Sequence, residues 1–219
     1  PMNQQSRYRC EVLSRNSLES SWQIHAESYV ELSSNIEGSV LDVVSRIHEL
    51  KESLNPQSIY AYSDQLGLNL TSTHQMIDKI HVGSTEGLVH YKQELIENWD
   101  VGPLSAGLLD NVFLMGLIPV IINGHKPNKL RVPLSIERII YHNLGLTPRW
   151  GHINWSNKDL DSEQFLSLGD FKVYSESGHL ILEIQGLRSE EITKTQVLSL
   201  LKQRQNEHWY YQVSFNEHA

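Results

Sequence analysis

One carboxylate stands out among the residues that could carry chemistry. Asp110 is the only ionisable residue in an apolar stretch of 15 residues, 104–118, which reads LSAGLLDNVFLMGLI. A carboxylate that is buried without a partner destabilises the fold or becomes protonated instead. Asp110 is therefore a candidate for a chemical task. The alternative is structural: Asp110 and Asn111 face a polar gap or bind backbone groups at the edge of a sheet.

Other classes of site lack a matching pattern. The 11 histidines include no His-Glu-x-x-His or His-x-His cluster, and the single cysteine, Cys10, excludes a Cys-based zinc site within the chain, so we expect no metal. The sequence also contains no Gly-x-Ser-x-Gly, no Gly-x-x-x-x-Gly-Lys and no Gly-x-Gly-x-x-Gly. The hydrolase, nucleotide-binding and dinucleotide-binding interpretations therefore have no support.

Composition narrows the classes of partner. The chain has 219 residues, of which 39% are hydrophobic and 20% charged, which is typical of one large or two small globular domains. Its 18 basic and 26 acidic residues give a net charge of −8, which disfavours a nucleic-acid partner. We find no run of roughly 18 to 20 apolar residues and no signal-peptide pattern, so we expect no membrane and a cytoplasmic location.

The apolar stretch 104–118 must be positioned by the elements around it. Its length before Pro119 favours a helix, and its apolar residues lie nearly all round, so other structure has to wrap it. The strand-like patterns that could do so lie at residues 88–95, 130–142, 149–155, 171–175 and 179–187. The order predicts an α+β fold in which a curved antiparallel sheet surrounds one long buried helix.

Shorter patterns predict the remaining elements. Alternation predicts an antiparallel strand pair at residues 7–13 and 22–32, which we expect to belong to a different sheet. Helical spacing and capping signals predict three further helices, at residues 41–50, from Asn55-Pro56 to Gly67, and at 193–205. Residues 209–215 have a strand pattern with no hairpin partner nearby, which indicates a neighbour outside this chain.

Several segments together resemble a known family. The order LLDNVF, LRVPLSIERIIYH and SESGHLILEIQGL resembles the second half of the dehydratase domain of modular polyketide synthases. Upstream, EVLSRNSLESSWQIHAESYVEL is similar to the last strand pair of that domain's first half, and WYYQVSF resembles the strand that begins the following ketoreductase. The resemblance implies the end of a first half at residues 1–40, a second half at 41–192 and a linker at 193–219.

The resemblance also implies a fold and a chemistry. In this family two hot-dog folds lie in tandem, each a curved antiparallel sheet around a long helix, with the site between them. A histidine in a His-x-x-x-Gly-x-x-x-x-Pro motif acts as the base, and an aspartate in His-Pro-x-Leu-Leu-Asp acts as the acid. Asp110 matches that aspartate. No histidine of this chain has glycine at plus four and proline at plus nine, so we expect the base to lie outside it.

Other positions of the family's site have changed. The His-Pro ahead of the aspartate is Ser105-Ala106, and the Gln or His four residues beyond it is Leu114. The family's Tyr-Gly-Pro-x-Phe-Gln motif reads LTSTHQ at residues 70–75, where His74 replaces a pocket-lining phenylalanine. The resemblance places Ser105, Leu114 and His74 in the substrate site, and we expect His74 to form an ion pair with the aspartate. Losing the groups that organise the acid predicts a loss of dehydration.

The implied ligand is a 3-hydroxyacyl chain carried on the phosphopantetheine arm of an acyl carrier protein, with no further cofactor. The resemblance favours a dehydratase-like domain that does not dehydrate. Two alternatives stay open: an active dehydratase whose histidine lies outside this chain, and a dehydratase-like domain of a branching or cyclising module. Whether the chain is an enzyme is therefore undecided. The implied partners are the carrier protein and neighbouring synthase domains, and a second hypothesis is that the chain forms a homodimer.

Overall fold

The computed structural model of the chain describes residues 7–15, 17, 21–31, 38–97, 105–124, 130–143, 145–156, 165–167, 169–193, 195–196 and 210–218. The chain forms two compact units, one from Pro1–Ile36 with Val197–Ala219 and the other from Glu37–Gln196. Each unit is described by itself. None of the helices in these described ranges is both long enough and apolar enough to cross a membrane.

The first unit contains a three-stranded antiparallel sheet. Its strands are β1 (Arg7–Arg15), β2 (Gln23–Glu31) and β13 (Tyr210–His218), and β1 lies in the centre. The predicted strand pair and its separation from the sheet around the helix are thus observed. The expected neighbour outside this chain for the C-terminal strand is wrong, because this strand pairs with β1 at the other end of the chain, from Arg7 opposite His218 to Arg15 opposite Tyr210.

The second unit is built on a seven-stranded antiparallel sheet. In pairing order its strands are β3 (Glu52–Leu54), β4 (Ile77–Val82), β5 (Glu86–Tyr91), β8 (Pro148–Asn154), β10 (Asp170–Ser175), β11 (Leu180–Gln185) and β7 (Arg138–Tyr141). A smaller sheet pairs β6 (Leu130–Ser135), β12 (Arg188–Ile192) and β9 (Phe165–Ser167). The helices are α1 (Val43–Glu49), α2 (Pro56–Gln65), α3 (Gln93–Glu97), α4 (Ala106–Leu114) and α5 (Ile118–Ile122).

The central helical segment is longer than the sequence predicts. It runs through α4, a 3₁₀ turn at Met115–Leu117 and α5, so the expected stop before Pro119 is wrong. Pro119 lies in the first turn of α5, where a missing backbone N–H costs no hydrogen bond. The 3₁₀ turn therefore lets the helical segment restart around the proline.

The main core lies between the helices and one face of the large sheet. Almost completely buried side chains of the helical segments pack against buried strand side chains. The helical set includes Ile59, Leu108, Val112, Met115 and Ile118, and the strand set includes Val89, Tyr91, Ile153, Phe171, Val173, Leu182 and Ile184. A smaller cluster lies beneath α1 on the opposite face, with Leu50, Leu88, Trp150, Tyr174 and Leu180. The predicted α+β class, an antiparallel sheet packed on a buried helix, is confirmed.

Helix capping signals predicted the helix ends correctly, whereas long alternating runs predicted strands that are shorter or divided in the structure. Asn55 caps α2 as predicted, its side chain accepting from the Gln57 N–H, and Gly67 follows the helix with φ of 91°. The strand predicted at 88–95 ends at Tyr91, where α3 soon follows, and the run at 130–142 splits into β6 and β7 of different sheets. The predicted helix at 193–205 lies almost entirely outside the described residues.

Candidate functional site

Asp110 lies on the exposed side of α4. Its predicted burial is wrong: Asp110 and Ala106, one turn apart, are both exposed, whereas the neighbouring Gly107, Leu108 and Asn111 are buried. An all-round apolar helix gives no direction to the buried face, so the sequence could not tell which of the two adjacent polar residues would face the core. The carboxylate is therefore available to a ligand or to another surface.

Asn111 is the polar residue that α4 buries. Its Oδ1 accepts from the Tyr60 hydroxyl at 3.0 Å and from the Met76 N–H at 3.2 Å. Its Nδ2 donates to the carbonyl oxygens of His74 and Gly107, both at 2.7 Å. The amide thus uses its full capacity of two acceptor and two donor bonds. The structural alternative, binding to backbone groups, holds for Asn111 and not for Asp110.

Tyr60 extends this network to α2. Its hydroxyl oxygen accepts from the Ile77 N–H at 2.8 Å at the start of β4 while the hydroxyl donates to Asn111. Burial raises the pKa of Tyr60 to about 12, although the Ile77 N–H opposes the rise. Tyr60 therefore stays protonated and remains a donor at any ordinary pH.

The turn before β4 carries His74. Ser72–His74 is a 3₁₀ turn in which the ring Nδ1 of His74 lies 2.8 Å from Thr71 Oγ1 and 3.3 Å from Thr73 Oγ1. Beyond it, the Gln75 side chain donates to the Leu70 carbonyl at 3.0 Å. Because Asn111 binds the His74 carbonyl, this turn lies against the part of α4 that also carries Asp110. The ion pair between His74 and Asp110 stays a prediction.

The two other predicted site residues have structural environments. Ser105 is the N-cap of α4, and its hydroxyl accepts from the Leu108 N–H at 3.1 Å. Leu114 is half-buried and packs against the main core. Both therefore lie on the segment that carries Asp110; the Ser105 hydroxyl accepts the capping bond of its own helix, and Leu114 has no polar group.

A second group of titratable side chains lies on the opposite face of the large sheet. His152 Nε2 lies 2.9 Å from Glu86 Oε2, and Arg46 of α1 binds the other oxygen of Glu86 at 3.3 Å. Burial lowers the pKa of His152, opposed by Glu86 and reinforced by Arg46 and Lys172. Within the described ranges, no three His, Cys, Asp or Glu residues are arranged to hold a metal ion.

The buried Tyr60 and Asn111 pair is what sequence reasoning missed. In the sequence, Asn111 stands out only as the neighbour of Asp110, and Tyr60 belongs to no motif. The available signal was an amide and a phenol within otherwise helical apolar patterns, because such groups are buried only with hydrogen-bond partners.

Comparisons with known proteins agree on the type of domain. A family model described as the polyketide synthase dehydratase N-terminal domain matches residues 40–199. A trans-AT polyketide synthase dehydratase domain from Brevibacillus brevis is 15% identical, with a TM-score of 0.70 over 86% of this chain and 77% of its own. The dehydratase domain from the CurH module of curacin polyketide synthase is 16% identical, with a TM-score of 0.73 over 88% and 67%. At these identities the likeness establishes the fold. No curated protein sequence matches this chain.

Proposed function

We propose a function from the premise that the chain belongs to the polyketide synthase dehydratase family. The chain is a hot-dog domain that holds a 3-hydroxyacyl group, carried on the phosphopantetheine arm of an acyl carrier protein, and leaves its hydroxyl in place. Elimination of water breaks one C–H and one C–O bond, forms a C=C bond and involves no net oxidation or reduction, so this ligand requires no further cofactor. The carrier protein and neighbouring synthase domains are the partners that this function requires.

The observation that carries the proposal is the surroundings of Asp110. Eliminating water requires a base for the proton next to the thioester carbonyl and an acid for the departing hydroxyl. The nearby polar groups are engaged in local bonds: Ser105 caps its own helix, and the His74 ring bonds to Thr71. Leu114 offers only an apolar surface. An acid that is not held by its neighbours loses the alignment that elimination needs.

Asp110 retains a use in this proposal. An exposed carboxylate can accept a hydrogen bond from the 3-hydroxyl group without transferring a proton. His74 does not replace the missing base, because an imidazole held by Asp110 would be on the acid's side of the ligand. The domain then binds the hydroxylated chain as a ligand for other chemistry.

The test is incubation with a 3-hydroxybutyryl carrier-protein thioester followed by mass analysis. We expect no enzyme-dependent loss of water from the acyl group, and the same result for Asp110→Asn. Loss of water that disappears in Asp110→Asn would contradict the proposal. Binding of the same thioester, weakened in Asp110→Asn, would support the holding role.

A second candidate is an active dehydratase whose base comes from outside this chain. The observation that favours it is that Asp110 is retained and exposed, so another surface can approach it. The two candidates differ in one assay. The second predicts that a longer polypeptide containing this chain dehydrates the thioester while the chain alone does not.

Self-association is a further proposal about partners. Ile139 and Tyr141 lie on β7, the outermost strand of the large sheet, and remain 43% and 47% exposed although their cross-strand partners Ile184 and Leu182 are fully buried. An apolar strand at an open sheet edge favours pairing with another chain. We expect light scattering to show dimers that Tyr141→Lys weakens and Val44→Lys, an equally apolar exposed site, does not. A strict monomer at high concentration, with no binding of a hydrophobic dye, would contradict this.

A further inference from the structure

The segment at residues 70–75 is shaped by local hydrogen bonds: the His74 ring bonds to Thr71, the Gln75 side chain donates to the Leu70 carbonyl, and Lys92 donates to the Gln75 carbonyl at 2.8 Å. It reads LTSTHQ, with neither proline nor glycine, so no restriction of its backbone angles dictates the turn. Its Thr71, Ser72 and Thr73 side chains are exposed and lie beside α4. A turn of this kind needs anchoring by other parts of the protein to keep one position.

That anchoring comes from two buried side chains on two helices. Asn111 of α4 binds the segment at two successive points, the His74 carbonyl at 2.7 Å and the Met76 N–H at 3.2 Å. Tyr60 of α2 binds the next residue, accepting from the Ile77 N–H at 2.8 Å, and is itself bonded to Asn111. Three backbone groups, the His74 carbonyl and the N–H groups of Met76 and Ile77, are thus attached to one network of side-chain hydrogen bonds.

The network also fixes the turn relative to the candidate ligand group. Asn111 directly follows Asp110 in α4, and its Nδ2 also binds the Gly107 carbonyl one turn earlier. Helix and turn therefore share one anchor next to the exposed carboxylate.

We infer that Asn111 and Tyr60 are positioning residues that hold the turn at residues 71–75 as one wall of the ligand site opposite Asp110, and that this fixed spacing selects a 3-hydroxylated acyl chain. The inference rests on the proposed function for the identity of the ligand. Asn111 and Tyr60 are buried, so they act through the turn and not by touching the ligand. Releasing the turn widens the site. The hydrogen bond between a 3-hydroxyl group and Asp110 then increases the affinity less, relative to an acyl chain without the hydroxyl.

The experiment compares two probes, the 3-hydroxybutyryl and butyryl thioesters of pantetheine, by calorimetric titration of the chain. We expect the wild type to prefer the hydroxylated probe about fivefold, the effect of one hydrogen bond. Asn111→Ala should reduce this preference to about one. Tyr60→Phe, which removes only the hydroxyl, keeps the test possible where Asn111→Ala does not fold, and should reduce the preference in part.

The matched control is Val112→Ala, which removes buried methyl groups from the same helix without touching the network. A ratio of two affinities is insensitive to a general loss of stability, provided that each variant is folded at the temperature used. The inference is supported if Val112→Ala keeps the preference while Asn111→Ala and Tyr60→Phe lose it.

Every other outcome contradicts either this inference alone or the inference together with the proposed function. If the wild type binds both probes but prefers neither, or if Asn111→Ala and Tyr60→Phe keep the preference, this inference fails while the proposed ligand class stands. Equal loss in Val112→Ala would also overturn it, because the effect would then be general destabilisation. Failure of the wild type to bind either probe would reject the proposed function together with the inference.

Discussion

The two faces of the seven-stranded sheet accommodate polar groups in opposite ways. On the inner face, beneath α2 and α4, Tyr60 and Asn111 form an uncharged network in which each group is bonded to another protein group. On the outer face, beside α1, the buried His152 bonds to Glu86, which forms an ion pair with Arg46, and the Glu86 and Arg46 side chains are partly exposed to solvent. The side chains alternate between the faces along each strand, so the two environments are separated by one layer of backbone.

Because of this difference, substitutions on the two faces should affect stability differently, and their effects should depend differently on pH and salt. Removing a partner from the inner network leaves buried donors and acceptors without bonds, which is costly and independent of pH and salt. Removing a partner from the outer group leaves charges that water can solvate. The loss of stability is therefore small, and it depends on pH and on salt concentration. The candidate ligand site is attached to the inner network, so its geometry should be insensitive to solution conditions.

The largest effect is expected for Asn111→Ala. The substitution breaks four hydrogen bonds and leaves the buried Met76 N–H and the proton of the Tyr60 hydroxyl without an acceptor, so the free energy of unfolding should fall by about 3–5 kcal/mol. Tyr60→Phe should cost about 1–2 kcal/mol, because the Ile77 N–H alone loses its partner outright. Urea unfolding measures both. A loss below about 1 kcal/mol for Asn111→Ala would show that the network is not tightly packed.

Gly151→Ala should cause the next largest loss of stability. Gly151 of β8 points inward, where an added Cβ would collide with the Tyr91 hydroxyl and lie 2.6 Å from Met115 Sδ, and both of these side chains are fully buried. Overpacking of this kind costs about 2–3 kcal/mol. The control is Gly145→Ala, where the nearest atom is 3.6 Å away and we expect little change in the unfolding midpoint. Equal stability of the two variants would contradict close packing of the inner face.

On the outer face, His152 should make stability depend on pH. Burial lowers the pKa of His152 below its ordinary value of 6.5, so the folded state favours the neutral ring. Its contribution to stability is fully present above pH 6.5 and is lost as the pH falls from there through the lowered pKa. His152→Gln keeps a donor towards Glu86 but cannot be protonated, so its unfolding free energy should fall less between pH 7.5 and 5. Parallel curves for the two proteins would refute this assignment.

The smallest effect is expected for Arg46. Its guanidinium binds Glu49 at 2.9 Å and Glu86 at 3.3 Å, but the Arg46 and Glu49 side chains are 34% and 61% exposed. Arg46→Ala should therefore reduce the free energy of unfolding by at most about 1 kcal/mol, and less at 1 M salt. Thermal unfolding at two salt concentrations measures this. A loss as large as that of Asn111→Ala would remove the distinction between the faces.

Local sequence signals correctly predicted the parts of the fold whose conformation is determined by residues close in sequence. The Asn55-Pro56 start of α2 and its end before Gly67 depend on backbone restrictions within a few residues, and both are observed. Strand β4 was not predicted, because a bulge between Ile77 and Lys79 interrupts the alternation on which strand prediction relies. The run at 130–142 was predicted as continuous, since one-dimensional polarity does not reveal which sheet a strand joins.

The sequence predicted which segments lie close to Asp110, but not which side chains of α4 face the core. The resemblance led to Asp110, Ser105, Leu114 and the segment at 70–75, and the structure brings the segment against the helix that carries the other three. Which face of α4 is buried depends on tertiary packing alone, because the helix is apolar on nearly all sides. The role of Asn111 could therefore be seen only once the helix was placed against the turn.

The most direct test of the central claim runs the reaction in reverse. A dehydratase must also add water to a 2-enoyl thioester, because both directions pass through the same transition state. The chain is incubated with but-2-enoyl-pantetheine in ¹⁸O-labelled water, and the label in the 3-hydroxyl product is measured by mass spectrometry, with Asp110→Asn as the control. We predict no incorporation above the rate without protein. Incorporation by the wild type that Asp110→Asn abolishes would contradict a domain that holds its ligand without exchanging water.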